Sequence, residues 1–111
     1  MAAGTHNITI EKKASFSFSA TFKQPNGSAL NLTDRTPSAQ IRRDFDNGLQ
    51  ATFTVVKTDA TNGIATLSLT SAQTSALTED PSHYDLFFTL SNGTVEKVLQ
   101  GSVSIIKNVT T

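Results

Sequence analysis

The stretch Ser15-Phe16-Ser17-Phe18-Ser19-Ala20-Thr21-Phe22 decides the fold class. Phenylalanine or alanine alternates with a hydroxyl residue along its whole length. Successive side chains of a strand point to opposite faces, so this spacing puts every ring on one side and every hydroxyl on the other. A helix would scatter the same rings around its circumference. The stretch reads as a strand with one wet face, which antiparallel sheets allow.

The same period continues outward. Upstream, Ile8 and Ile10 alternate with Asn7 and Thr9 as a short opening strand. Downstream, Gln24-Pro25-Asn26-Gly27 reads as a turn, with Pro presetting φ and Gly supplying a positive one. Leu30 and Leu32 form a strand or extended piece that closes into Asp34-Arg35-Thr36-Pro37. Ala39, Ile41 and Arg43 share a face, and Asn47-Gly48 signals a hairpin. Leu49, Ala51, Phe53 and Val55 continue as its second arm, and Asp59 to Gly63 turns into Ala65, Leu67 and Leu69. Ser71 to Leu77 breaks the alternation and suits a short helix capped by Thr70 or Ser71. Tyr84, Leu86, Phe88 and Leu90 lead through Asn92-Gly93 into a last arm of Val95, Lys97, Leu99, Gly101, Val103 and Ile105. That arm is expected to bend near Gly101.

The fold class expected is all-β: an immunoglobulin-like antiparallel β-sandwich of seven to eight strands with one short helix, residues 1–111 forming a single domain. The predicted core is Phe16, Phe18, Phe22, Ile41, Phe53, Val55, Leu67, Leu69, Tyr84, Leu86, Phe88, Leu99 and Val103. Composition agrees, because Ser and Thr make up 29 of the 111 residues and Phe seven, with no Trp. These residues suit a pleated, half-buried surface. The chain has no cysteine, so disulfides and thiolate metal sites are excluded. Nine basic and nine acidic residues cancel, which argues against nucleic acid, whose binders need excess positive charge. No run reaches the ~18 apolar residues of a membrane helix, and Met1 to His6 does not read as a signal peptide.

Few residues suggest chemistry. His6 lies in an N-terminal segment expected to be loose, and His83 follows Pro81-Ser82; neither has a ligand neighbour in sequence. Asp44-Phe45-Asp46-Asn47-Gly48 resembles the start of a calcium loop, but its Gly comes one position early and Val55 stands where the bidentate Glu belongs. Arg42, Arg43 and Lys57 would form a basic spot only if their strands paired, and Asp44 and Asp46 would offset it. Glu79 and Asp80 are adjacent in a Pro-containing loop and lack the convergence that acid–base pairs need. Asn-x-Ser/Thr triplets at Asn7, Asn26, Asn31, Asn92 and Asn108 fit turn chemistry better than glycan acceptors. No catalytic, cofactor or metal residue is assigned, and no enzyme activity is expected.

Taken in order, several segments resemble a known family. They are Ile8-Thr9-Ile10 with Ser15-Phe16-Ser17-Phe18; Gly27-Ser28-Ala29-Leu30-Asn31-Leu32-Thr33; and Ala39-Gln40-Ile41-Arg42. Asn62-Gly63-Ile64-Ala65-Thr66-Leu67-Ser68-Leu69-Thr70 follows, running into Gln73-Thr74 and Leu77. Tyr84-Asp85-Leu86, Gly93-Thr94-Val95 and Leu99-Gln100-Gly101-Ser102-Val103 complete the set. Together they resemble small tailed-bacteriophage virion proteins, similar to the N-terminal domain of phage baseplate upper proteins. Members often carry Gly where Lys13 stands, and a short Pro/Gly turn where Glu79 to His83 lies. The resemblance implies an immunoglobulin-like sandwich with a structural role in the virion and no catalytic residues.

The expected function is therefore a multi-copy structural component of the tail or baseplate, contacting other phage structural proteins, with no small-molecule substrate, nucleic acid or membrane. Capsid decoration on the phage head is the alternative. A host-surface or carbohydrate-binding module is a further one, for which Phe45 and Phe87 are the aromatic candidates. Open sheet edges and the loops Asp34 to Pro37 and Glu79 to His83 are the expected contact surfaces. The termini, Met1 to Thr5 and Asn108 to Thr111, are expected to be mobile alone, with at least one becoming ordered against a neighbouring subunit.

Overall fold

A computed structural model describes residues 4–107, which form two facing sheets. The strands are β1 (Gly4–Thr5), β2 (Ile8–Glu11), β3 (Phe16–Thr21), β4 (Arg35–Arg43), β5 (Leu49–Thr52), β6 (Thr54–Asp59), β7 (Ile64–Leu69), β8 (Ser82–Leu90) and β9 (Val95–Ile106). The larger sheet runs β1-β9-β8-β4-β5, with β2 also on β9; the smaller runs β3-β7-β6. β1 and β2 pair parallel to β9, and every other ladder is antiparallel. The fold is an all-β sandwich, as its period-two sequence requires.

The inward parity of each strand supplies the core. Ile8 and Ile10 of β2, Ala39 and Ile41 of β4, Tyr84, Leu86 and Phe88 of β8, and Leu99 and Val103 of β9 face Ala65, Leu67 and Leu69 of β7. Phe18, Phe53 and Tyr84 form an edge-to-face trio with centroids 5.9 to 6.3 Å apart, and Phe22 meets Phe88 at 5.3 Å. Such ring pairs add roughly 0.5–1.5 kcal/mol beyond the area they bury. Phe16, Phe18 and Val55 depart from expectation. They point inward but are only partly buried, because β3 and β6 are the outer strands of a narrow sheet and no strand among the described residues pairs along their far sides.

Four boundaries also differ. The arm Leu49 to Val55 is not one strand: β5 pairs with β4, and after buried Phe53 the chain crosses to pair with β7 in the other sheet. Arg35 to Pro37 belong to β4 rather than to a loop, while Leu30 and Leu32 are buried in irregular chain outside any strand. Ser82 and His83 likewise open β8. Gly101 is not the bulge: the register shift leaves Val98 as the extra residue, so Val98 and Leu99 are both buried while Val95 is exposed. Gly101 has another cause, since a Cβ there would lie 2.1 Å from His6 O.

The helix is Ser71–Ser75, shorter than 71–77. Thr70 accepts from Gln73 N–H while the Gln73 side chain accepts from Thr70 N–H, a complete capping box. Thr74 is fully buried and donates to Ala14 O at 2.9 Å, tying this connection to the β2–β3 turn. Gly4 and Thr5 pair with Leu99 and Gln100, so the expectation of a mobile start fails there. Residues 1–3 and 108–111, with the Asn108 triplet, lie outside the described residues.

Candidate functional site

The outer face of the larger sheet carries the side chains that the core parity excludes. Along β8 these are His83, Asp85 and Phe87; their partners on β9 are Ser102, Gln100 and Lys97. All of these but Phe87, with Thr5, Asn7 and Asp44, line a shallow cleft of about 380 Å³. Its ordered feature is a carboxylate–imidazole hydrogen bond. Asp44, just past the end of β4, meets His83 Nδ1 through Oδ1 at 2.7 Å. The register Arg42↔His83 brings them together. This pair was not legible in the sequence, because the partners are 39 residues apart.

His83 Nε2 has no protein partner among the described residues, and no serine hydroxyl bonds to it. Asn7 Oδ1 accepts from Ser102 N–H at 3.0 Å, so Asn7 is engaged with β9. What the cleft offers is one imidazole among two carboxylates, Asp44 and Asp85, the Lys97 ammonium and neutral donors and acceptors.

The other candidates separate. His6 is not loose: its N–H donates to Gln100 O at 2.8 Å, its ring lies 5.3 Å from Phe18, and its carbonyl accepts from the Tyr84 hydroxyl. Asp46 does not turn toward Asp44. Its Oδ1 accepts from Gly48 N–H at 2.8 Å and from Arg43 Nε at 3.1 Å. Arg43 and that N–H hold the Asp46 carboxyl below the usual range, and Asp46 in turn raises Arg43. Among the described residues no three metal-ligating side chains gather. The calcium-like residues make a hairpin, with Asn47 at φ 54°.

The basic spot disperses as well. Arg42 donates to Asn47 O and Gln40 Oε1, whereas Lys57 lies on the other sheet and donates to Thr33 O and Arg35 O at 3.3 and 3.1 Å. Glu79 pairs with Lys12 at 3.6 Å, and the Asp80 carbonyl accepts from Ser82 Oγ. Asn26, Asn31 and Asn92 each accept from the N–H two residues on, at 2.9 Å. These are Asx turns, the turn chemistry that such triplets favour. Phe45 stands 73% exposed at the β4–β5 hairpin, with the Arg43 guanidinium 5.8 Å from its ring. Phe87 is half-buried under Lys97 Nζ at 5.9 Å.

The smaller sheet has its own outer face, made mostly of hydroxyls, with Val56 and Ile64 the aliphatic exceptions. Ser17, Ser19 and Thr21 of β3, Thr66 and Ser68 of β7, and Thr54 and Thr58 of β6 share that parity. Thr66 Oγ1 meets Ser19 Oγ at 2.8 Å and Thr58 Oγ1 at 2.6 Å, a hydroxyl chain across all three strands. No family model matches the chain, and no curated protein matches its sequence.

Proposed function

We propose that this chain is a non-catalytic structural component of a bacteriophage virion, placed at the tail or baseplate and acting through contacts with itself and other phage structural proteins. The observation that carries this reading is Lys13. Its φ is +72°, in the left-handed region that costs an ordinary residue about 1–2 kcal/mol and glycine almost nothing. Members of the resembled family often carry glycine at this position, and a left-handed backbone is one that glycine adopts freely, which supports the reading.

Strand order supports the immunoglobulin-like part of the reading. The order β3-β7-β6 follows the B-E-D side of such a sandwich, and β5-β4-β8-β9 the C′-C-F-G side. The first strand departs from the ABED arrangement by joining β9 instead of β3. Phe45, exposed at its hairpin, favours a second reading in which that tip touches a host surface or carbohydrate.

Mass spectrometry of purified particles, with tails and heads separated, tests the proposal. The protein is expected in the tail fraction at many copies per particle; recovery from heads alone would move it to capsid decoration. Abundance in infected cells with absence from particles overturns the structural role.

A further inference from the structure

The smaller sheet ends on β3, and among the described residues that edge is open. Phe22 N–H donates to Gly63 O at 2.7 Å. By the alternation of an antiparallel ladder, Phe16, Phe18 and Ala20 then turn their main-chain groups toward β7. Ser17, Ser19 and Thr21 turn theirs outward. An unpaired row of this kind is a template for another strand, and proteins normally guard it.

The other open edges are guarded. On β6, Lys57 takes the inward parity and the ladder slips between Val56 and Asp59. β5 is four residues long beside a bulge at Ile41/Arg42. On the N-terminal side the edge is split into β1 and β2 and ends on Glu11, Lys12 and Lys13. β3 has none of these devices: Phe16–Thr21 pairs in unbroken register and contains no charge, proline or glycine. Phe16 and Phe18 are also incompletely buried there, whereas Phe22, Phe53 and Phe88 are buried.

We propose that a second copy of this chain pairs its own β3 antiparallel to this edge across a two-fold axis, joining the two smaller sheets into one. A two-fold contact makes each patch meet itself, so the strand must be self-complementary. Uncharged β3 meets that condition. On its outer side hydroxyl would face hydroxyl, extending the Ser19–Thr66–Thr58 chain; on its inner side the half-covered rings of Phe16 and Phe18 would cover one another. The pairing needs only this chain and does not depend on the virion reading.

Sedimentation velocity of the full chain over a concentration series should show a dimer that grows with concentration. Ser19→Pro removes an outward N–H and leaves the β7 ladder intact, as edge strands tolerate. It should weaken the dimer roughly tenfold or more, the scale of one lost main-chain hydrogen bond, with unchanged far-ultraviolet circular dichroism. The chain has no cysteine, so a thiol introduced at Ser17, Ser19 or Thr21 is the sole one. At least one of the three should form an oxidised dimer faster than Thr58→Cys on β6, and this comparison decides the matter if Ser19→Pro fails to fold. A chain that stays monomeric throughout overturns the proposal. So does a dimer indifferent to Ser19→Pro, or Thr58→Cys cross-linking as fast as all three.

Discussion

Tyr84 is the chain's one tyrosine, and its hydroxyl donates to the carbonyl of His6, 78 residues away. Burial pushes its pKa from 10 up to about 12. The folded value lies above the unfolded one, so the contribution to stability is complete below pH 10. It is lost as the pH climbs toward 12, where the folded chain keeps a proton that the unfolded chain gives up. At about 1.4 kcal/mol per pH unit the loss reaches about 3 kcal/mol across that window. Denaturant titrations of wild type and Tyr84→Phe should diverge there, with the variant spared this part of the decline. The tyrosinate absorption of the native protein should emerge near pH 12; emergence near 10 would show that the ring is not held as described. Sequence parity with Leu86 and Phe88 made Tyr84 legible as a core residue. Its partner was not legible, nor was the Asp44–His83 pair, because both contacts depend on which strands lie side by side.

At the scale of elements, alternation located the strand cores from Ile8 onward but not β1, and the places where the chain changes partner escaped it. Leu49, Ala51, Phe53 and Val55 keep one period through a change of sheet, since a strand crossing between two facing sheets can keep its apolar side toward the shared core. Val98 escaped for the opposite reason: a bulge inserts one residue and reverses parity without any special residue type. The β2–β3 turn is the informative connection. Lys13 holds a positive φ there while Ala14 N–H reaches back to Glu11 O at 3.4 Å. Its side chain is exposed, so replacing it removes backbone strain and little else. Lys13→Gly should stabilise the protein by about 1 kcal/mol, the left-handed penalty less the entropy glycine adds to the unfolded chain. A raised denaturant midpoint at unchanged slope is the expected result; a lowered midpoint would mean that the turn does not need its left-handed shape.

For the whole molecule, the N-terminal strand decides whether the sandwich is closed. It runs parallel to β9, the last strand, so the first and last described segments of the chain are held together by one ladder. Ile8 and Ile10 are buried beneath it, Asn7 accepts from Ser102 N–H, and the His6 carbonyl receives Tyr84. All of this passes over Gly101, where an added Cβ would lie 2.1 Å from His6 O, 2.7 Å from His6 C and 3.0 Å from Tyr84 Cε1. Two of those atoms are backbone, so no rotamer change relieves the clash. Gly101→Ala must therefore lift the segment around His6. Tyr84 then loses its acceptor, and the burial of Ile8 and Ile10, worth about 1.5–3 kcal/mol each, is put at risk. The variant should lose about 3–5 kcal/mol, at the upper end of what single substitutions do. Because the smaller sheet makes no ladder with this strand, the damage should be uneven. Amide exchange should quicken across residues 4–11 and 99–106 while the β3–β7 ladder stays protected. A loss below about 1 kcal/mol with unchanged exchange would mean that the N-terminal strand does not rest on Gly101 and that something else closes the sandwich.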